Sequence, residues 1–308
     1  MQKKKVISIV WHQFLPANFG GQQTIADFNN ALAKEVQLIC ICSNNNKAEN
    51  LQYQLFNILP TEKLQFINPI VWYRIFSICK KEKPDYLLLE YCYHAVVAWL
   101  IYRFLKIRII HSSHNIEYQR FKLLKKPYWR LLFLAEKWVS NFASINTFVT
   151  EQDRQLAINK FGIAKENSLV IPHTISRKNA EGKVSSTEKI RSQYQLNSDT
   201  PILLFNGTLD YLPNAKAVKN IAILLIPELR KILTDFVIIV NGRIENKEYL
   251  SLFNLTNEHL IITGRVDNIE DYFLAANVYI NAVNIGAGVQ TKTLEALSYN
   301  LNVVCFGN

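Results

Sequence analysis

A chain of 308 residues with 49% apolar and 19% charged residues has enough apolar sequence for two folded domains, which excludes a disordered or fibrous protein. No window approaches the ~18 uncharged apolar residues of a membrane-spanning helix. The net charge is +10. Residues 1–175 carry 22 basic and 12 acidic residues, whereas residues 176–308 carry 13 of each. The first part is therefore expected to meet an anionic partner.

The cysteines form no C-x-x-C pair, and most of them lie in apolar segments. This pattern predicts reduced thiols in the protein core rather than a metal site or disulfides. The cysteines are Cys40, Cys42, Cys79, Cys92 and Cys305.

Strands and helices alternate along the first part of the chain. The apolar segment Val6–Trp11 is too short for a signal peptide, so it predicts a first strand and a cytoplasmic protein. A helix is expected to begin near Thr24, which could cap it. The segment ending at Leu59 fits a strand or a helix. The other predicted elements are strands at 36–43, 85–90, 107–113, 144–150 and 169–171, and helices at 69–81, 93–105, 127–142 and 151–162.

A polar segment at 173–186 predicts a linker, and a second alternation follows it. The whole pattern is typical of two doubly wound, Rossmann-like parallel α/β domains facing each other across a cleft, at residues 1–175 and 176–308. The predicted elements of the second domain are strands at 202–206, 236–241, 260–263, 278–282 and 303–306, and helices at 187–194, 214–233 with a kink at Pro227, 245–253, 269–275 and 291–299.

Glycine-containing loops follow four successive strands of the second domain, where open α/β sheets bind ligands. The first three include Gly207, Arg243 and Arg265. Any one of these loops is weak support for a site, because a glycine after a strand is often only a turn. Four such loops in order predict a ligand pocket.

The fourth loop leads into a predicted helix with Lys292 in its first turn and Glu295 one turn later. Free N–H groups and the positive end of the helix dipole form an anion site there, and Lys292 adds a full charge. The Glu295 carboxylate can accept hydrogen bonds from sugar hydroxyls. These features predict a pocket for a sugar nucleotide. A nicotinamide site is excluded, because Thr291 occupies the third glycine position and no acidic residue follows about 20 positions on.

The second part contains GTLDYLPNAKAV, ITGRVDNIEDYFLAANVYINAV and GAGVQTKTLEALSYNLNVV, and the first contains FGGQQTIADFNNALAKE, SHNIEY, VTEQDR and VIPHT. With these motifs the chain resembles family-4-type glycosyltransferases of the GT-B fold, and especially a subgroup with a G-x-G-x-x-x-K-x-L-E-A loop. The resemblance extends over nearly the whole chain and is most specific in the second part.

The resemblance implies a role for each matching residue. Glu295 would bind the nucleotide ribose, and His114 would lie near the donor sugar, with His111 as the competing candidate. The other implied donor contacts are Gly286, Gly288 and Lys292 around the diphosphate and sugar, Arg265 and Val266 beside the base, and Gly20 and Gly21 approaching the phosphates from the first domain.

The chain departs from the family pattern at two places. The first glutamate of the family's E-x7-E pattern falls on Ala287 or Ile285, and the usual arginine and lysine fall near Thr208 and Pro213. Lys292, with Arg243, would then neutralise the diphosphate. A catalytically inactive relative that binds sugar nucleotides or acts as a scaffold is the alternative.

The resemblance also implies the reaction class. It implies transfer of a sugar, with retention and without a metal or other cofactor, from a nucleotide-diphosphate sugar to a hydroxyl of a glycan or lipid-linked acceptor. Such transfer serves cell-surface polysaccharide or glycolipid synthesis. Members of the family usually continue for several dozen further residues, so the second domain is expected to be incomplete and less stable.

The segment Phe121–Val139 interleaves basic residues with aromatic and aliphatic ones. Such a helix can lie on an anionic membrane surface, which predicts peripheral binding at the inner face of the membrane. An ordinary amphipathic helix with a solvated basic face is the alternative. Binding to nucleic acid is not expected, because no recognition motif accompanies the charge.

Overall fold

A computed structural model describes residues 3–17, 20–47, 50–173, 177–178, 181–284 and 290–306. Within these residues the chain forms two compact units, the first at 3–173 and the second at 177–306. Both are built on parallel sheets with alternating helices, as the sequence pattern predicts.

The first unit contains a parallel sheet in the order β3-β2-β1-β4-β5-β6-β7. Its strands are β1 (Lys5–Val10), β2 (Gln37–Ser43), β3 (Gln54–Leu59), β4 (Tyr86–Glu90), β5 (Arg108–Ser113), β6 (Ile145–Phe148) and β7 (Ser168–Val170). Its helices are α1 (Gly20–Glu35), α2 (Pro69–Glu82), α3 (Ala95–Leu100), α4 (Glu117–Leu123), α5 (Trp129–Phe142) and α6 (Glu151–Phe161).

The central strands of this sheet are apolar on both faces because helices cover both. Ile7 and Ile9 of β1 pack in one cluster with residues of α2, α3 and α5. Val6 and Val10 face the other way and pack with Ile25 of α1. Parallel strands buried on both faces read as continuous apolar runs, which is how the sequence reads here.

The second unit contains a parallel sheet in the order β10-β9-β8-β11-β12. Its strands are β8 (Ile202–Asn206), β9 (Val237–Asn241), β10 (Leu260–Gly264), β11 (Val278–Asn281) and β12 (Asn302–Cys305). Its helices are α7 (Lys183–Gln193), α8 (Leu212–Asn220), α9 (Ile226–Leu229), α10 (Ile269–Ala275) and α11 (Thr291–Ser298).

Two apolar clusters flank this second sheet. Phe205 and Val240 pack with residues of α8 on one face. Leu204 and Ile239 pack on the other face with residues of α7, α10 and α11, including Ala296. The second sheet is thus covered on both sides in the described residues.

Several elements differ from the sequence-based expectation. Helix α1 begins at Gly20, and Thr24 is not its cap, because its hydroxyl donates to the Gly20 carbonyl from inside the helix (2.9 Å). The helices at 93–105 and 214–233 pass into wider π-helical turns at 101–105 and 221–225. In the second case Pro227 has no N–H with which to continue the α-helical ladder. The segment Lys247–Leu255 is a 3₁₀ helix.

Four of the five cysteines are buried thiols, as expected, but Cys305 is exposed on β12. The prediction of a core thiol was wrong at this position, because β12 is an edge strand whose side chains are largely exposed in the described residues. No helix in the described ranges has both the length and the apolar character needed to cross a membrane.

Candidate functional site

In each sheet the strand order reverses once, between β1 and β4 in the first unit and between β8 and β11 in the second. Ligands of open α/β sheets bind outside the carboxyl ends of the strands at such a reversal. In the second unit these ends carry Asn206 on β8 and Asn281 on β11, with Asn241 on the adjacent β9. All three are polar residues that end otherwise apolar strands.

Lys292 reaches from the first turn of α11 toward the end of β8. Its Nζ atom donates to Asn214 Oδ1 (2.8 Å) and lies 4.3 Å from the centre of the Phe205 ring. Burial lowers the pKa of Lys292 to about 7. An aromatic ring and one amide oxygen replace only part of the hydration that a buried ammonium group loses. The Lys292 ammonium group is therefore suited to binding an anionic ligand.

Glu295 lies one turn further along α11 and is half-buried. Burial raises the pKa of its carboxyl, while the charge of Lys178 and a hydrogen bond with the Asn206 side chain act in the opposite direction. Asn206 also accepts a hydrogen bond from the Tyr279 hydroxyl (2.6 Å), which fixes its orientation. The carboxylate is thus held beside the end of β8, where it can accept hydrogen bonds.

The loops that follow β8 and β9 pack tightly against each other. A Cβ atom added at Gly242 would lie 2.0 Å from the Gly207 carbonyl oxygen. Gly207 has a φ angle of +153°, and a Cβ atom there would lie 2.7 Å from the Asn214 side chain. Because the same Asn214 holds Lys292, these glycines allow the loop and the lysine to share one small space.

The predicted base and phosphate contacts in the next loops lie at the surface. Arg243 is half exposed and forms an ion pair with Glu245 (3.3 Å). Arg265 is exposed and follows Gly264, whose φ angle is +73°. Val266 is half-buried and packs against the apolar cluster on one face of the sheet. Their predicted contacts with a nucleotide remain predictions.

Four glycines are predicted to lie near the phosphates of the donor. Gly286 and Gly288 lie outside the described residues, so the geometry predicted for their N–H groups stays a prediction. Gly20 and Gly21, expected to precede a helix that begins near Thr24, lie instead in the first turn of α1.

The first unit has a cavity of about 150 Å³ at the carboxyl ends of β5, β6 and β7. One face of α1 forms its opposite wall, with side chains spaced three or four residues apart as helical geometry requires. The side chains combine apolar surface with hydroxyl, carboxyl and imidazole groups. The lining residues are Thr24, Asp27, Phe28, Ala31, Ser112, Ser113, His114, Thr147, Phe148, Val149, Ile171, Pro172 and His173.

His114 lines this cavity, and three neighbours hold its ring. Its Nε2 atom lies 2.6 Å from Oε2 of the buried Glu90. The Tyr91 ring lies 4.8 Å away, and the His173 ring stacks on it at 5.7 Å. Burial and the neighbouring charge of His114 lower the pKa of His173 to about 4.

His111, the competing candidate, is buried within the sheet. Its Nδ1 atom lies 3.2 Å from Asn146 Oδ1 and 3.3 Å from the Ser140 hydroxyl. Burial lowers its pKa to about 4. Its contacts are those of a core residue, whereas His114 lines the cavity. Across the described ranges, no group of three or more histidine, cysteine or acidic residues is arranged to hold a metal ion.

Glu90, Asn206 and Asn214 were not predicted as site residues. Glu90 and Asn206 carried a usable signal, since each is a polar residue ending an apolar strand, YLLLE and ILLFN. Asn214 carried none, because an asparagine in a helix has no distinctive local pattern and gains its role through a residue 78 positions away.

Two models of known protein families match the chain. The family model described as Glycosyltransferase Family 4 matches residues 20–178, and that described as Glycosyl transferases group 1 matches residues 200–308. No curated protein matches the chain significantly.

Many solved structures share the fold. Sucrose-phosphate synthase from Thermosynechococcus elongatus has a TM-score of 0.72 at 17% identity, over 98% of this chain and 81% of its own. HepE from Anabaena in complex with UDP-glucose has a TM-score of 0.70 at 14% identity, over 98% of this chain and 80% of its own. The catalytic domain of starch synthase IV from Arabidopsis thaliana, bound to ADP and acarbose, has a TM-score of 0.70 at 14% identity, over 99% of this chain and 83% of its own.

The sequence motifs, the two parallel sheets and the matched family models agree. The Family 4 model alone matches more than half of the chain, and the second family model matches most of the remainder. The fold is the two-unit α/β fold of GT-B glycosyltransferases. The chain therefore belongs to glycosyltransferase family 4, a family of enzymes.

Proposed function

We propose that this enzyme transfers a sugar from a nucleoside diphosphate sugar to a hydroxyl group of an acceptor, and that the second unit binds the donor. The observation that carries the proposal is the pairing of Lys292 and Glu295 on successive turns of α11, beside the end of β8. A cation for the diphosphate and a carboxylate for ribose hydroxyls are the two groups that such a donor requires. Two structures of similar fold contain UDP-glucose or ADP, which supports this donor class.

The chemistry follows from the charge of the leaving group. When the bond to the sugar breaks, negative charge develops on the departing diphosphate, and Lys292 with the positive end of α11 would stabilise it. We propose that transfer proceeds with retention and without a metal. His114 would contact the donor sugar, and Gly207 with Arg243 would lie beside the diphosphate.

The acceptor is proposed to bind the cavity of the first unit. Its walls combine apolar side chains with Asp27, Thr24 and Ser113, a mixture that suits the apolar faces and hydroxyl groups of a sugar. No lysine or arginine is among the residues that line it. A neutral glycan or the glycan part of a lipid-linked acceptor fits this lining better than an anionic one, in keeping with polysaccharide or glycolipid synthesis.

We propose further that α4 and α5 bind an anionic membrane surface at its cytoplasmic face. On this α4–α5 surface, Leu131 and Leu134 are 68% and 59% exposed, and Trp138 is 40% exposed. These side chains form an apolar stripe at helical spacing, and the stripe faces solvent instead of the protein core. Exposed basic residues flank the stripe, namely Lys122, Lys125, Lys126, Arg130 and Lys137.

Aromatic and basic side chains are already paired on this surface. The Lys122 ammonium lies 5.1 Å from the centre of the Trp129 ring, and the Arg130 guanidinium lies 5.4 Å from it. Apolar side chains that enter the interface, together with cations near lipid phosphates at about 1 kcal/mol each, are the usual basis of peripheral binding. The reduced thiols expected of the four buried cysteines fit a cytoplasmic location.

A turnover assay tests the donor proposal. Purified enzyme is incubated with a set of nucleoside diphosphate sugars, and release of the nucleoside diphosphate is measured with and without candidate glycan acceptors. Lys292→Ala and Glu295→Ala should each reduce turnover at least 10-fold. The control variants Lys231→Ala and Glu228→Ala remove an exposed ion pair of the same unit and should retain activity. Binding of a donor without turnover by the wild type would favour the inactive alternative, and unchanged turnover in both site variants would contradict the assignment.

Vesicle flotation tests the membrane proposal. The triple variant with Lys122, Lys125 and Lys126 changed to Gln should lose recovery with vesicles that contain anionic phospholipid. The matched control changes Lys80, Lys81 and Lys83 to Gln, which removes three exposed lysines at the end of α2 and beyond. Equal recovery of both triple variants would reject a specific α4–α5 surface.

A further inference from the structure

Glu90 is a buried carboxylate in the first unit with no role in the function proposed so far. It ends β4 and is 1% exposed, and within the described residues its Oε1 atom has no hydrogen-bond partner. Burial of an ionised carboxylate is unfavourable unless a hydrogen bond or an opposite charge compensates it. A specific partner therefore has to account for its position.

That partner is His114. Glu90 Oε2 and His114 Nε2 lie 2.6 Å apart, within hydrogen-bond distance. Because an ionised carboxylate can only accept a hydrogen bond, we assign the proton to Nε2. A histidine whose one nitrogen is committed in this way presents the other, Nδ1, to a further ligand. Because His114 lines the cavity at the carboxyl ends of β5 to β7, a ligand can reach it there.

The backbone next to Glu90 is in an uncommon conformation. Tyr91 has a φ angle of +67°, which is rare for a bulky residue and unfavourable by roughly 1–3 kcal/mol. Its N–H donates to the Ser112 carbonyl (3.0 Å), and its ring lies 4.8 Å from the His114 ring. Such strain persists where surrounding contacts impose it, and here it lets β4 present Glu90 and Tyr91 to the same imidazole.

The other histidines around His114 are uncharged at neutral pH. His12 follows β1, His111 lies on β5 and His173 follows β7. The pKa of each is lowered to about 4, chiefly by burial. Tyr91 stays protonated, since burial raises the pKa of its hydroxyl. Asp27 lines the far wall of the cavity on α1. Glu90 is thus the charged group in direct contact with His114.

We propose that Glu90 is a positioning residue for His114. It fixes the imidazole with Nε2–H directed at the carboxylate, so that Nδ1 accepts a hydrogen bond from a hydroxyl group of a bound sugar. Glu90 acts through His114 and does not touch the sugar. The identity of the ligand as a sugar rests on the proposed function, whereas the Glu90–His114 pair rests on the geometry of the first unit.

Three variants and two readouts test this pair. Glu90→Gln removes the charge with little change of shape, Glu90→Asp keeps the charge, and Glu82→Gln removes an ion-paired carboxylate that precedes β4. The first readout is NMR of histidine-labelled full-length protein, with His114 assigned by comparison with His114→Asn. The second is the kinetics of sugar transfer, with kcat and KM measured separately.

In the wild type, the Nε2 proton of His114 should resonate far downfield, as expected of a hydrogen bond to a carboxylate. In Glu90→Gln this signal should move upfield, because a neutral amide oxygen accepts a weaker hydrogen bond than a carboxylate does. In Glu90→Asp the signal should return part of the way toward wild type, and in Glu82→Gln it should not change. kcat should fall roughly 10- to 100-fold in Glu90→Gln, the loss expected for one charged hydrogen bond, and recover in part in Glu90→Asp.

The two readouts separate this proposal from the proposed function. NMR requires no turnover, so a protein that transfers no sugar still reports whether Glu90 holds His114. An Nε2 proton signal of His114 that is the same in Glu90→Gln and the wild type would overturn the pair even in an active transferase. If Glu90→Gln does not fold, wild type and Glu90→Asp decide the question. Absence of the downfield proton in both would overturn the pair.

Discussion

At the scale of single residues, the burial of Lys292 couples its charge to ligand binding. Its pKa is lowered to about 7, so above neutral pH the free protein holds it mostly uncharged. A bound diphosphate favours the charged form, so binding should take up a proton, and affinity should fall as pH rises above about 7.

Calorimetry in buffers of different ionisation enthalpy measures this uptake. Binding of a nucleoside diphosphate at pH 8 should take up roughly 0.9 proton per site, the fraction of neutral lysine expected for a pKa near 7. Lys292→Met should bind more weakly and take up none. Lys219→Met, which removes an exposed lysine of α8, should behave like the wild type. The same heat in all buffers for the wild type would show that Lys292 does not meet the phosphate.

The sequence singled out Lys292, Glu295 and His114 as candidates, because each stands in a motif with a definite spacing, and their role in a site stays a prediction. The sequence could not show what each of these side chains contacts. Asn214 and Glu90 meet Lys292 and His114 across 78 and 24 residues of sequence. Such pairs depend on the register of strands and loops, which local pattern does not encode.

At the scale of elements, α5 turns an apolar stripe to solvent. Changing Leu131 and Leu134 to Ser should reduce flotation with anionic vesicles several-fold, because both side chains would otherwise enter the membrane interface. The melting temperature should change little, since both are already exposed. Ile232→Ser is the matched control, because Ile232 is 76% exposed in the second unit. A large fall in melting temperature without loss of flotation would identify α5 as a core-packing helix only.

The two loops after β8 and β9 offer a second prediction at this scale. Gly242→Ala would bring a Cβ atom to 2.0 Å from a backbone oxygen that cannot rotate away, so the loops must separate. We expect it to lower the free energy of unfolding by more than about 2 kcal/mol.

Gly182→Ala is its control. Gly182 lies in the same unit with a φ angle of +81°, and a Cβ atom there would meet only ordinary contact at 3.7 Å. Gly182→Ala should lower the free energy of unfolding by about 1–2 kcal/mol, which is the cost of a left-handed backbone conformation for alanine. Thermal and urea unfolding measure both variants, and an equal loss of stability would contradict tight packing of the loops.

Element-level prediction from sequence was accurate where an apolar period and a terminal signal coincide. The helix at Ile269–Ala275 and the end of α6 before Gly162 are examples. It missed α4, whose first N–H groups are satisfied by the carboxylate of Glu136 on α5 (2.7 and 2.9 Å) rather than by a neighbouring cap. A capping group that arrives from another helix leaves no local signal.

At the scale of the whole molecule, the alternation of strands and helices predicted both sheets, and the sequence motifs predicted the family. The net charge also differs between the two parts of the chain, because the excess of basic residues lies in the first part. The proposed functions divide accordingly, with the membrane surface and acceptor cavity in the first unit and the donor site in the second. Each unit can thus be tested by its own ligand.

The second unit is proposed to bind a nucleoside diphosphate sugar through α11. The most direct measurement is calorimetric titration of the wild type and Glu295→Gln with a set of such sugars. At least one should bind the wild type, and Glu295→Gln should bind it roughly 10- to 100-fold more weakly, the loss expected for a charged hydrogen bond to ribose. Failure of every sugar nucleotide to bind the wild type, or equal affinity in both proteins, would contradict the account.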